Sequence, residues 1–369
     1  MVKPYKISMK IDQRKGVLAV ALSGGVDSSA AAAMLKGKYP NCIGAMHRIW
    51  PDAACCAPEN IQRASDLCKS LDMPFYVIDL EKEFADRVVD PFCNAYIEGE
   101  TPNPCVLCNE LVRFSLFYHI LTEKLTEDAI LFPGQILSFA TGHYARIEEH
   151  NGMFSIHKGR DEAKDQSYML YRVPLEMLPR LVFPLGETLK EDIFRYARKK
   201  GLPSAALKES QDICFVDTTY TDFLQKYKNI ETENPGSIIT EEGKVIGRHR
   251  GYLQYTIGQR KGLNLSDGPW YVSRLMPEEN TIVVGRIEEI QKDSFSVGSC
   301  NWHSDMELYK DGCSVKIRYN SPEIPCTVSI RDKERPEVKL HRKAVITPGQ
   351  SAVFYSGDMV LGGGIICRE

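Results

Sequence analysis

"LSGGVDSSAAAAMLK", residues 22–36, follows the apolar run "GVLAVAL" (16–22) and decides the fold. Gly24 and Gly25 permit a tight turn with several backbone N–H groups aimed inward. The alanine-rich stretch after Asp27 then starts a helix whose positive end faces that turn. An anion fits there. The loop is not a Walker A loop, which needs G-x-x-x-x-G-K-[ST], nor a dinucleotide fingerprint, which needs G-x-G-x-x-G. The bland alternative is a glycine turn capped by Asp27 and Ser28 for structural reasons alone.

Outward from this loop, strands and helices alternate. "CIGAMHRIW" (42–50) and "PFYVIDL" (74–80) read as further apolar strands. Between and after them the periodicity is helical, with Phe84, Val88, Phe92 and Tyr96 four apart on one face. This pattern predicts an α/β fold with a doubly wound, mostly parallel sheet that binds ligands at the carboxyl ends of its strands. From about residue 235 the texture changes to short apolar runs broken by glycine, "GSIITEEGKVIGRHRG" and "NTIVVGRIEEI", which predict small β-rich domains.

Composition sets the limits. With 43% hydrophobic and 26% charged residues in 369, the chain is an ordinary globular one with length for two or three domains. Its N-terminus is charged up to Lys15 and lacks a secretory apolar core, and no run approaches the roughly 18 apolar residues of a membrane span. An intracellular, cytoplasmic protein is expected, in which the 12 cysteines stay reduced and are mostly small buried hydrophobes. The net charge of −3 argues against indiscriminate nucleic-acid binding but leaves room for a local basic face. One exists in "KVIGRHRGYLQYTIGQRK" (244–261), where Lys244, Arg248, Arg250, Arg260 and Lys261 occur without an acid, interleaved with Tyr252 and Tyr255. That mixture suits phosphate contacts and stacking on unpaired bases, or else is a solvated strand face. His249 is either a surface residue or a phosphate donor.

S-G-G-x-D-S resembles the PP-loop signature of ATP pyrophosphatases, which split ATP between its α and β phosphates to adenylate a substrate. The resemblance implies that Ser23, Ser28 and the loop amides hold pyrophosphate and that Asp27 is placed to help hold Mg²⁺. Five further stretches, "TPNPCVLCN" (101–109), "ATGHYARI" (140–147), "KDQSYMLYRV" (164–173), "ESQDICFV" (209–216) and "GYLQYTIGQRKGL" (251–263), occur in the order of the tRNA-specific 2-thiouridylases. The chain is similar to that family from about residue 16 to "PGQSAVFY" (348–355).

The resemblance implies a PP-loop catalytic domain of the adenine nucleotide alpha hydrolase kind over 1–219, a β-rich tRNA-binding domain over 220–293 and a C-terminal β-barrel over 294–369. It implies a monomeric enzyme that uses ATP to activate the C2 oxygen of the wobble uridine, position 34 of tRNA, and replaces it with sulfur from a persulfide-donor protein. Cys214 would carry the persulfide. Cys108 would be the nucleophile that attacks the activated carbon or releases the sulfur, and in the family these two cysteines also join as a disulfide. The nucleotide site carries over to Ala21, Leu22, Ser23, Gly24, Gly25, Val26, Asp27 and Ser28, with His47 and Gly142. The tRNA contacts carry over to Asn103, Pro104 and Cys105 beside the target base, and to His143, Lys164, Asp165, Gln166, Arg318, Tyr319 and Gln350.

Bland alternatives stand beside these assignments. Lys164 with Asp165 reads equally as a solvated charge pair, Arg318 with Tyr319 as strand surface, and Asn103 with Pro104 as a turn. The chain also departs from the family, which often has Asp at the position of Cys105 and Met at that of His47. The link "TEDAILFPGQILSF" before T-G-H-Y is longer than usual, which puts the placement of Gly142 and His143 in question.

C-x-x-C at Cys105 and Cys108 alone serves zinc, redox, iron–sulfur or nucleophilic chemistry. Zinc lacks two more ligands at suitable spacing, since "CC" at 55–56 lies in a separate link. Two readings remain: persulfide chemistry at Cys108 and Cys214 with Cys105 a bystander, or a [4Fe–4S] cluster on Cys105, Cys108 and Cys214. The first is preferred because the family pattern supplies Cys108 and Cys214 and does not require Cys105. Outside the family, the rival functions are a PP-loop small-molecule ligase, which has no use for the two cysteines or a basic β module, and a non-catalytic tRNA-binding protein with a relic nucleotide loop.

Overall fold

The computed structural model describes residues 16–51, 56–207, 213–304, 306–309, 312–330 and 335–368. The expectations for the N-terminal segment, for Cys55 and for residues 209–212 of "ESQDICFV" lie outside them. The chain divides into two compact units. One comprises Met1–Arg87, Cys105–Phe215 and Asp358–Val360, the other Val88–Pro104, Val216–Gly357 and Leu361–Glu369.

In the first unit, β1 (Gly16–Ala21), β2 (Cys42–Arg48), β3 (Phe75–Asp79), β4 (Ile136–Ala140) and β7 (Leu181–Val182) form a parallel sheet in the order β3-β2-β1-β4-β7. β1 is apolar on both faces because both are covered, as the unbroken run "VLAVA" requires. Helix α1 (Val26–Lys36) lies on one face, where Ala30, Ala31 and Ala32 are fully buried and pack with Leu18, Val20 and Leu22 into one core. The strands end one or two residues inside the expected limits. A hairpin of β5 (Ala145–His150) and β6 (Met153–Lys158) completes the unit, with Met359 paired to His157.

The order of the strands sets the position of the site. The connections from β1 run out through β2 and β3, whereas β4 returns to the opposite side of β1, so the topology switches direction between β1 and β4. Open α/β sheets bind ligands in the crevice at the carboxyl ends of such a strand pair. The glycine loop follows β1 and "TGHY" follows β4, one on each side of that crevice.

The second unit contains a four-stranded sheet, β10-β11-β8-β9, built from β8 (Gly236–Thr240), β9 (Val245–His249), β10 (Tyr271–Met276) and β11 (Thr281–Gly285). Its core is Ile238, Tyr255, Leu263, Val272, Leu275, Ile282 and Val284. It also contains an antiparallel barrel of β12 (Gln291–Trp302), β13 (Cys313–Lys316), β14 (Ile324–Ser329), β15 (Glu337–Val345), β16 (Ser351–Ser356) and β17 (Met359–Ile366), closed by pairing of β12 with β17. The face Phe84, Val88, Phe92 and Tyr96 is buried at each of the four positions. No described helix is long and apolar enough to cross a membrane.

Candidate functional site

The glycine loop turns at Gly24, whose φ of +74° favours glycine, and a Cβ there would meet Asn60 Oδ1 at 2.7 Å. α1 then starts with Gly25 as its N-cap and with no side-chain hydrogen bond to the cap. The bland alternative, in which Asp27 and Ser28 cap the turn, is therefore not what is found. Ser28 Oγ accepts from Ser23 N at 3.2 Å and donates to the Gly25 carbonyl at 3.2 Å, while Ser29 Oγ donates to the same carbonyl at 2.8 Å. The hydroxyls hold the loop's shape, which leaves N–H groups at the start of α1 for an anion.

Gly142, at the switch point, backs directly onto this loop. A Cβ on it would lie 2.9 Å from Ser28 N and 3.0 Å from the Asp27 carbonyl carbon. The longer link before β4 has not moved it. Its missing side chain makes room for the loop itself, where the sequence suggested room for adenosine.

Asp27 differs from its expected setting. Its carboxylate accepts two hydrogen bonds from Lys190 Nζ, at 2.8 and 2.7 Å, and one from Tyr144 Oη at 2.8 Å. Lys190 is itself buried, at the start of helix Lys190–Lys199. A carboxylate already neutralised in this way does not fit a magnesium ligand as it stands, and no step is assigned to the metal. Tyr144 is fixed in turn by Gln166, whose Oε1 accepts from Tyr144 N at 3.0 Å and whose N–H donates to the Tyr144 carbonyl at 2.9 Å. Sequence reading missed Lys190, which lies 163 residues from Asp27. The signal available was a lysine opening an amphipathic helix, a commonplace feature.

On the other side of "TGHY" are the cysteines. Residues Cys108–Leu116 form a π-helical segment, a wide-turn geometry concentrated at functional sites. Cys108 stands at its head and is buried, whereas Cys105 is exposed. Burial pushes the Cys108 thiol up to about 11, and the charge of Arg113 opposes that shift. Cys105 is pushed up in the same way, again with Arg113 opposing. Cys56 lies near enough for its sulfur to act on Cys108. Its thiol accepts from Ile49 N at 3.3 Å and donates to the His47 carbonyl at 3.8 Å.

Arg113 Nη1 donates to Asn109 Oδ1 at 2.6 Å and lies 3.4 Å from His143 Nε2, while His143 Nδ1 is 2.6 Å from Thr141 Oγ1. Burial, and then repulsion from Arg113, push both His47 and His143 down to about 3, so both are neutral at pH 7. His47 Nδ1 is buried with no hydrogen-bond partner among the described residues, which suits a donor or acceptor on a bound nucleotide.

The histidines give a prediction. The folded-state value of His47 lies below the unfolded value near 6.5, so stability is intact above pH 6.5 and is lost as pH falls from there toward 3. At pH 5 the loss from His47 is about 2 kcal/mol, with a smaller share from the less buried His143. Urea midpoints at pH 7 and pH 5 check this, and a His47→Met variant should show a flatter dependence. Equal slopes in the two proteins would refute it.

Cys214 is half-buried and follows residues outside the description. Among the described residues one set of three metal-ligating side chains has its ligand atoms within 4.8 Å of one another: Glu148, His157 and Asp358. Arg146 already binds both of those carboxylates. Cys105, Cys108 and Cys214 do not form such a set, and no step is assigned to an iron–sulfur cluster.

The expected tRNA contacts fall into two groups. In the first unit, Asp165 is buried and accepts from Gly159 N at 2.9 Å, Ser167 N at 3.1 Å and Ser167 Oγ at 2.8 Å, so it shapes a turn and is not half of a solvated pair with Lys164. His143 and Gln166 belong to the networks above. In the second unit, Gln350 Nε2 donates to the Thr101 carbonyl at 2.7 Å, two residues before Asn103 and three before Pro104. Arg318 Nη2 donates to the Ile257 carbonyl at 2.9 Å, and the Lys316 ammonium lies 5.7 Å from the ring centre of Tyr319.

The basic run needs two corrections. Tyr255 is 5% exposed, belongs to the core and donates to the Gly262 carbonyl, and Tyr252 donates to the Ile97 carbonyl, so neither ring is a stacking platform. His249 is 2% exposed and its Nε2 lies 3.0 Å from the Asn280 carbonyl, so it is no phosphate donor. Lys244, Arg248, Arg250, Arg260 and Lys261 remain exposed, with no carboxylate partner among the described residues.

Comparison with known proteins adds to this geometry. Residues 16–218 match the family described as tRNA methyl transferase HUP domain, 221–286 the tRNA methyl transferase PRC-barrel domain, and 292–366 the aminomethyltransferase beta-barrel domain. The U34-tRNA thiolase NcsA from Methanococcus maripaludis, with its [4Fe-4S] cluster, is 16% identical over 57% of this chain and 67% of its own, at a TM-score of 0.33, a likeness too slight to argue from. The tRNA-specific 2-thiouridylase MnmA of Chloroflexus aggregans is 40% identical over 95% of this chain and 98% of its own length. That of Acidithiobacillus ferrooxidans is 39% identical over 94% and 97%. With identity at this level over nearly its whole length, the chain belongs to the tRNA-specific 2-thiouridylase family.

Proposed function

We propose that this protein is a tRNA uridine 2-sulfurtransferase acting at wobble position 34. The observation that carries the reading is that "TGHY" serves two sites: Gly142 and Tyr144 meet the nucleotide loop through Ser28 and Asp27, and His143 meets Arg113 of the cysteine-bearing helix. A base adenylated on one side of this segment lies beside thiols on the other.

The steps follow from the residue types. The C2 oxygen of uridine attacks the α-phosphorus of ATP at the loop Ala21–Ser28, and pyrophosphate leaves toward the start of α1. The terminal sulfur of a persulfide on Cys214, received from a donor protein, attacks C2. The C2–O bond breaks and AMP leaves with the oxygen. The Cys108 thiolate then attacks the Cys214 sulfur, so the transferred sulfur stays on C2 as a thiocarbonyl and Cys108 and Cys214 join as a disulfide. A thiol reductant reopens it, which suits a monomer working in the reducing cytoplasm. The tRNA would be held by Asn103, Pro104, Arg318, Tyr319 and Gln350 and by the exposed basic face.

The test is mass spectrometry of nucleosides after incubation with ATP, unmodified tRNA and a persulfide donor. Appearance of 2-thiouridine supports the reading. AMP formation that ignores RNA points to a small-molecule ligase, and no turnover to a binding protein. The basic face has its own check. Replacing Arg248, Arg250, Arg260 and Lys261 with Ala should weaken tRNA binding and flatten the dependence of log K on log salt by about 0.7 to 0.9 for each phosphate no longer neutralised. An unchanged slope would return the run to a solvated face.

A further inference from the structure

Arg113 has no carboxylate partner among the described residues; its hydrogen-bonding neighbours are the neutral Asn109 and His143. The acid three residues before it, Glu110, is bound instead to Arg172, at 2.6 Å from Nε and 3.0 Å from Nη2. Asn109 is buried and pinned by its own amide, which donates to the Met169 carbonyl at 2.9 Å, so it fixes the guanidinium without neutralising it. Burying part of a guanidinium without a counter-anion is costly and is retained where an anion forms during function. The two histidines nearby are neutral, which leaves Arg113 as the positive charge acting on the two thiols of the loop.

We propose that Arg113 is a catalytic residue that stabilises the thiolate of Cys108, the sulfur anion that the transfer step requires. The assignment rests on the role given to Cys108 above. It explains how a nucleophile can sit in a buried position that by itself favours the neutral thiol: the residue five positions along the π-helical segment brings a fixed charge, oriented by Asn109 and His143, and thiolates are favoured beside guanidinium groups. A guanidinium suits the task because it stays charged when partly buried, where an ammonium would lose its proton more readily.

The experiment needs neither tRNA nor ATP, so its outcome is separable from that of the thiolation assay. The rates at which iodoacetamide alkylates Cys108 and Cys214 are followed at pH 7.5 by peptide mass spectrometry in the wild-type protein, Arg113→Gln and Arg113→Lys. Cys108 is expected to react about tenfold more slowly in Arg113→Gln, the effect of a shift of about one pKa unit, and within about threefold of wild type in Arg113→Lys. Cys214 should react at the same rate in all three. An unchanged Cys108 rate in Arg113→Gln overturns the proposal. So does Arg113→Lys slowed as much as Arg113→Gln, which would make the shape of the side chain and not its charge the cause, or parallel slowing of Cys214, which would signal a general disturbance of the fold.

Discussion

Cys108→Ser and Cys214→Ser should each abolish formation of 2-thiouridine while leaving tRNA-dependent AMP formation measurable. A hydroxyl can neither carry a persulfide nor attack one, so removing either sulfur stops the same half of the reaction. The activating half uses the glycine loop and Gly142, on the other side of "TGHY" from the cysteine helix, and neither substitution changes that side. Serine in place of the buried Cys108 is a small change in volume, so the fold should survive it. Cys105→Ser should keep substantial activity, because Cys105 is exposed and has no step in the transfer. Activity lost in Cys105→Ser, in protein purified without oxygen and carrying about four irons, would replace the persulfide route with a cluster.

The second large effect is at Asp27. Asp27→Ala should eliminate AMP formation and leave tRNA affinity nearly intact, since the tRNA surface lies in other segments. The structure adds a consequence for stability. Lys190 is 7% exposed and donates twice to Asp27, so removing the carboxylate strands a buried ammonium and should cost about 3 kcal/mol, somewhat less because Asp27 itself is partly exposed. The double variant Asp27→Ala with Lys190→Met should recover most of that stability yet remain inactive. Urea unfolding and AMP release measure the two properties separately. A double variant no more stable than Asp27→Ala would show that the pair contributes little, and AMP formed at the normal rate by Asp27→Ala would remove it from the chemistry.

Local features of the sequence were legible because their causes are local. The apolar runs at 16–22, 42–50 and 74–80 became parallel strands, and "SGGVDSS" became the turn and helix start that its glycines dictate. Contacts between distant segments were not. Nothing near Lys190 points to Asp27, and nothing in "CNELVRF" says that Glu110 is taken by Arg172 and Arg113 left without an acid. The basic run was misread for a reason present in the sequence. Strand side chains alternate, so in "GRHRG" the flanking Arg248 and Arg250 face out and His249 faces in. Reading the run as a strand first would have sent His249 to the interior, where it is.

Thr141, Gly142, His143 and Tyr144 are four neighbours with four different obligations: to orient a ring, to leave a gap, to meet a guanidinium and to hold a carboxylate. A lineage drifting through sequence space cannot retune activation here without also retuning sulfur delivery, because one short segment is hinged to both. Changes of RNA preference or of sulfur source therefore have to arise elsewhere, on surfaces such as the basic face, where a substitution alters a partner without reaching the chemistry.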